Sequence, residues 1–136
     1  MYCVLHIEDN RGDIMLTKEA FNSIEIDIEF VEAYDGRKGL EYLRSGKHLP
    51  DLILLDINMP VLNGKEFLSV IKSDEKLKNI PVVVLTTSTD DRDIKDCYAL
   101  YANAYINKTL DFMGFQKCIQ DLAHFWFSHN VYVKND

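Results

Sequence analysis

Three stretches of the chain are almost wholly apolar: Val4-Leu5-His6-Ile7, Leu52-Ile53-Leu54-Leu55 and Val82-Val83-Val84-Leu85. Short continuous runs of this kind read as central strands covered by helices on both faces. A fourth stretch differs, because Ile26, Ile28 and Phe30 alternate with Asp27 and Glu29. That period of two marks an edge strand with one wet face. Strand-like segments thus fall at 2–8, 26–33, 51–56, 81–86 and 103–107, and helix-like segments fill the intervals near 12–24, 36–45, 64–74, 90–101 and 111–128.

Five successive β-α units imply an α/β fold with a parallel sheet. Right-handed crossovers place the edge strand outside the first strand and the later strands on its other side, in the order 2-1-3-4-5 with helices on both faces. The topological switch point then lies between the first and third strands, where such sheets bind ligands. Glu8 and Asp9 end the first of these strands and Asp56 ends the third, so three carboxylates are expected around one crevice. Like charges held together call for a cation.

The helices carry their own signals. Asp90 is a candidate N-cap, followed by Ile94, Cys97, Tyr98 and Tyr101 at helical spacing, which reads as a covered face. In the last helix Phe115, Ile119, Leu122 and Trp126 share one side. Phe125 and Phe127 cannot both join them, so a partner surface is expected there. The pattern reads as one domain over 1–128 with a short tail, 129–136, and no output domain.

Composition narrows the class. A chain of 136 residues with 47% hydrophobic and 27% charged residues fits a single globular domain. A formal net charge of -7 argues against nucleic acid as the main partner, since such binders carry a basic stripe. Cys3, Cys97 and Cys118 are odd in number and widely spaced, as for reduced thiols, and no Cys/His metal motif occurs. No signal-peptide pattern or membrane-length apolar run is present, so a cytoplasmic location with no membrane partner is expected.

With these residues assembled, essentially the whole chain resembles the response-regulator receiver domain of two-component signalling, a CheY-like variant of the flavodoxin-like order. The family pattern is an acidic pair after strand one, a phosphoacceptor Asp after strand three, a Thr or Ser after strand four and a Lys after strand five. Glu8 and Asp9, Asp56, Thr86 and Lys108 match it, with spacings of 47 from Asp9 to Asp56, 30 to Thr86 and 22 to Lys108. The resemblance implies that Asp56 takes a phosphoryl group from a sensor histidine kinase in a Mg²⁺-dependent reaction, with Mn²⁺ as a substitute. Glu8, Asp9, Asp56 and the backbone carbonyl of Asn58 would hold the metal. Lys108 and Thr86 would contact the phosphoryl oxygens, and Thr86 with Tyr105 would form the switch that alters the face of helix four, strand five and helix five. Asn58 and Ser88 occupy positions that tune the lifetime of the phosphate. The resemblance implies a signalling domain that catalyses only its own phosphorylation and slow dephosphorylation, not an enzyme acting on others.

Two positions depart from the family. Lys108 is followed by Thr109 where Pro is usual, and a cis bond there costs about 3–4 kcal/mol, so the isomer stays open. Thr87 is bulkier than the small residue common after the family's Thr, and is also the fallback for Thr86. Within the family, Pro81 to Ser88, Tyr101 to Ile106 and Phe125-Trp126 are similar to the single-domain regulators associated with bacterial phytochromes. That likeness implies a bacteriophytochrome kinase and a homodimer through Tyr98, Tyr101, Phe125 and Phe127, with the downstream protein unknown.

Blander readings compete with these. A strand-end Asp is ordinarily a turn residue, a lone Lys is ordinarily solvated, and a run such as Thr86-Thr87-Ser88-Thr89 is ordinarily loop chemistry. His6 reads as a hydrogen-bonded core histidine, and His48, His124 and His129 as surface residues. The alternative in function is a receiver-like interaction module that is never phosphorylated. An aspartyl-phosphate hydrolase would place Asp-x-Asp near the first strand, and a flavodoxin would need a less acidic loop than Glu8 to Asp13.

Overall fold

The computed structural model describes residues 1–108 and 111–131. Five parallel strands, β1 (Tyr2–Ile7), β2 (Ile28–Ala33), β3 (Leu52–Leu55), β4 (Val82–Thr86) and β5 (Ala104–Asn107), form one sheet in the order β2-β1-β3-β4-β5. The helices between them are α1 (Arg11–Asn22), α2 (Gly36–Leu43), α3 (Gly64–Lys72), α4 (Asp91–Ala99) and α5 (Phe112–His124). A π-helical turn, Phe125–His129, extends α5. The expected order and the edge position of β2 are both observed. Peptide Lys108–Thr109 and residues 132–136 lie outside the described residues.

Alternation along each strand divides the core in two. Leu5, Ile7, Ile53, Leu55, Val82 and Val84 pack with Leu40, Leu43, Phe67, Leu68, Ile71 and Cys97 on the face covered by α2, α3 and α4. Val4, Leu52, Leu54, Val83 and Leu85 pack with Phe21, Phe115 and Ile119 on the face covered by α1 and α5. All four residues of β3 are fully buried, which is why that strand reads as an unbroken apolar run.

Several sequence expectations are corrected in detail. Phe127 is only 8% exposed and packs on Tyr2 with ring centroids 4.5 Å apart, so it belongs to the core and not to an exposed face. Phe127 follows the buried Ile119 and Ala123 at intervals of four, so the i, i+4 row carries it onto the core; within the π turn the Asn130 N–H reaches back five residues to the Phe125 carbonyl (2.7 Å). Along α4, Cys97 is buried, whereas Tyr98 and Tyr101 are exposed, and Tyr101 adopts a positive φ of 68° just past the helix end. The stripe is therefore covered only at its centre. His6 is fully buried, yet neither ring nitrogen has a hydrogen-bond partner among the described residues; its ring meets Phe30 edge-on at 5.7 Å.

Candidate functional site

Strand register assembles the site. Ile7 pairs with Leu55, so the residues that follow, Glu8-Asp9 and Asp56, leave the sheet side by side, and the Asp56 N–H donates to the Ile7 carbonyl at 3.0 Å. Thr86 pairs with Asn107, and the Lys108 N–H donates to the Thr86 carbonyl at 2.7 Å. All five residues singled out from the sequence thus occupy the carboxyl edge of the three central strands and β5.

Carboxylate oxygens of Glu8, Asp9 and Asp56 lie within 4.8 Å of one another. Glu8 and Asp56 are buried and Asp9 is exposed, so the group has a solvated mouth and a dry floor. The donor set is hard oxygen throughout, which fits Mg²⁺ or Mn²⁺ and not a thiolate- or imidazole-seeking metal. The chain itself supplies part of the neutralisation. Lys108 Nζ donates to Glu8 Oε1 and, at 2.9 Å, to Asp13 Oδ2. Burial pushes the Glu8 carboxyl above its usual range; Lys108 opposes that rise and Asp56 adds to it. Burial works against the Lys108 ammonium, but its bonds to Glu8 and Asp13 more than offset the penalty and raise its pKa.

The loop from Asp56 to α3 is held close to this group. Asn63 caps α3, accepting from the Glu66 N–H at 2.9 Å while Glu66 returns the bond to the Asn63 N–H at 3.1 Å. Gly64 is required at the next position: a Cβ there would stand 2.4 Å from the Asp56 carbonyl oxygen and 2.5 Å from Ile57 Cα. The exposed Asn58 lines a cleft beside the carboxylates with Ile57, Met59, Asn63, Lys65 and Asp93.

Across the site, Thr86 is fully buried and its Oγ1 accepts weakly from the Ser88 N–H at 3.4 Å, while Thr87 is exposed. The half-buried Tyr105 donates its hydroxyl to the Ser88 carbonyl at 3.0 Å, and Ser88 Oγ donates to Asp93 Oδ2 at 2.6 Å. Ser88, named as a lifetime position, is therefore bonded to both switch residues, Thr86 and Tyr105.

The sequence reading missed Asp13, Lys65 and Asp93. Asp13 lies in the first turn of α1, where an acid is ordinarily explained by the helix dipole, and that ordinary explanation hides its bond to Lys108. Lys65 and Asp93 meet only because α3 and α4 are neighbours, at 2.7 Å.

Comparison with known proteins bears on the family and the fold. The model of the response regulator receiver domain matches residues 4–120. The probable methanogenesis regulatory protein FilR2 of Methanothrix harundinacea (strain 6Ac) is 37% identical over 133 residues, 95% of this chain and 86% of the relative. Response regulator Rcp1 of Synechocystis sp. (strain ATCC 27184 / PCC 6803 / Kazusa) is 37% identical over 128 residues, 90% of this chain and 87% of its own length. The structure of the Mn²⁺-bound form of Rcp1 superposes with a TM-score of 0.91 at 33% identity, covering 98% of this chain and 99% of that one. The phosphorylated cyanobacterial phytochrome response regulator RcpA superposes with a TM-score of 0.92 at 38% identity, covering 96% and 97%. The chain belongs to the response regulator receiver domain family, and its homologues include phytochrome response regulators.

Proposed function

We propose that Asp56 is the phosphoacceptor of a two-component relay whose donor is a phosphohistidine on a sensor kinase. A carboxylate oxygen of Asp56 attacks phosphorus, the P–N bond breaks, and its electron pair stays on the imidazole nitrogen. Hydrolysis later transfers the phosphoryl group to water. The observation that carries this reading is the convergence of Glu8, Asp9 and Asp56 within 4.8 Å beside a lysine already within reach.

Glu8, Asp9, Asp56 and the Asn58 carbonyl would hold a divalent cation, for which Mg²⁺ is proposed, and when bound it would supply charge neutralisation for the phosphoryl oxygens. Lys108 has three protons to donate and places a point charge beside Asp56. Among the described residues the Thr86 hydroxyl is held by one long bond, so turning it toward a phosphoryl oxygen costs little. Movement of Thr86 draws on the Ser88 segment, which also anchors Tyr105. Asn58 and Ser88 flank the path of attacking water and set the lifetime of the acyl phosphate.

The kinase is proposed to be a bacteriophytochrome, a reading supported by the phytochrome response regulators among the relatives, with both proteins in the cytoplasm. The exposed Tyr98, Tyr101 and Phe125 support a homodimer through the face of α4, β5 and α5. Incubation with acetyl phosphate and Mg²⁺, followed by intact mass measurement, tests the central claim. One phosphoryl group should appear on the wild type and none on Asp56→Asn; modification of the variant would move the site elsewhere. A wild type that stays unmodified would favour a receiver that acts by contact alone.

A further inference from the structure

We propose that Asp13 is a positioning residue for Lys108, holding its ammonium at the edge of the site so that Glu8 can be given up to a cation. The inference rests on the phosphoacceptor reading above. The Lys108 side chain is 8% exposed, and its two carboxylate partners differ in kind. Glu8 is buried and is one of the three converging acids; Asp13 is partly exposed and stands outside that group. Each uses a separate ammonium proton, so both bonds exist together.

When a cation takes Glu8, an ammonium with no second partner would be left buried and unpaired, which is costly. Asp13 removes that penalty. Its geometry is firm, since the Asp13 N–H donates to Asn10 Oδ1 at 3.0 Å and its carbonyl accepts from the buried Thr17 hydroxyl at 2.8 Å. The pair also borders a small cavity with Leu16, Phe112 and Phe115. The same bond has an opposite effect later, because Asp13 competes with the phosphoryl oxygens for Lys108. Its charge therefore favours metal binding and opposes phosphoryl binding. A merely structural residue would shift both in one direction.

The test uses the full chain and two variants, Asp13→Asn and Asp13→Glu. Magnesium affinity is measured by titration calorimetry, and beryllofluoride affinity at saturating magnesium by fluorine resonance. For a partly exposed pair, Asp13→Asn should weaken magnesium and tighten beryllofluoride by roughly three- to fivefold each, while Asp13→Glu stays near wild type. Affinities that move together, or do not move, overturn the proposal. A wild type that takes up no beryllofluoride overturns the phosphoacceptor reading and this inference with it, whereas an unchanged Asp13→Asn beside a competent wild type overturns the inference alone.

Discussion

Lys65, in the first turn of α3, binds Asp93 of α4 at 2.7 Å and reaches Asp96 one turn further on at 2.9 Å. The pair holds the ammonium above the ordinary lysine range, and Lys65 and Ser88 hold Asp93 below the ordinary carboxylate range. Ser88 donates to the same Asp93 and accepts from Tyr105, so four residues tie α3, α4, the loop after β4 and β5 into one chain of bonds. Removing the cation should loosen the loop more than it weakens the fold. Lys65→Met is expected to cost at most about 1 kcal/mol in urea unfolding, as for half-exposed ion pairs. It should nevertheless shift the amide resonances of Ser88 and Tyr105; unchanged resonances would show that the three bonds of the chain are not coupled.

Thr86 sits between the acceptor and that chain. Thr86→Ala should still accept one phosphoryl group from acetyl phosphate, because Lys108 and the three carboxylates, Asp56 among them, are untouched. Tyr105 should then fail to respond. Aromatic proton spectra with and without beryllofluoride check this, and a full Tyr105 response in the variant would assign the sensor role elsewhere, with Thr87 the next candidate.

Burial, aided by the Lys108 charge, drives the His6 pKa down to about 3. The unfolded chain binds a proton near pH 6.5 and the folded chain does not, so this residue makes stability fall as pH drops from 6.5 toward 3. Between pH 6.5 and 5 the loss is about 2 kcal/mol. His6→Leu should lack that part of the pH dependence. Comparing the two proteins cancels Glu8, whose raised pKa acts in the other direction.

Gly64 lets α3 begin against the backbone that carries Asp56. Gly64→Ala forces a methyl group against the Asp56 carbonyl and Ile57 Cα, both backbone atoms that cannot turn aside. A loss of about 2–3 kcal/mol is expected, together with weaker magnesium binding. Wild-type affinity in the variant would mean that the loop can shift without moving the acceptor.

Phe125 and Phe127 are two residues apart and should behave oppositely. Phe127→Ala empties a core position and should cost about 3 kcal/mol. Phe125 is 56% exposed, so Phe125→Ala should leave thermal unfolding of the monomer unchanged and lower the sedimentation coefficient at high concentration. Equal effects on unfolding would contradict the buried position of Phe127.

The order of the sheet and the positions of Glu8, Asp9, Asp56, Thr86 and Lys108 were readable from the residues because they depend on local pattern. A period of two, an unbroken apolar run and a right-handed crossover leave one arrangement, and residues at strand ends follow from it. Asp13 and Lys65 were not readable in this way, since their partners lie 95 and 28 residues away on other elements. Phe127 falls inside because it continues the i, i+4 row of Ile119 and Ala123, which a stripe drawn through Phe115, Ile119, Leu122 and Trp126 passes over. The hydrogen bond expected of His6 is not found among the described residues, since a strand pattern states that a residue is inside and says nothing of what polar atoms meet it there.

Sequence alone determined that this is a parallel α/β receiver whose acids gather at the switch point, because backbone periodicity and chain handedness act within a few residues. Tertiary packing alone decided which carboxylates share Lys108, which helix Lys65 fastens and which aromatic ring faces water. Those outcomes depend on side-chain reach across elements, where a difference of one ångström or one turn selects the partner.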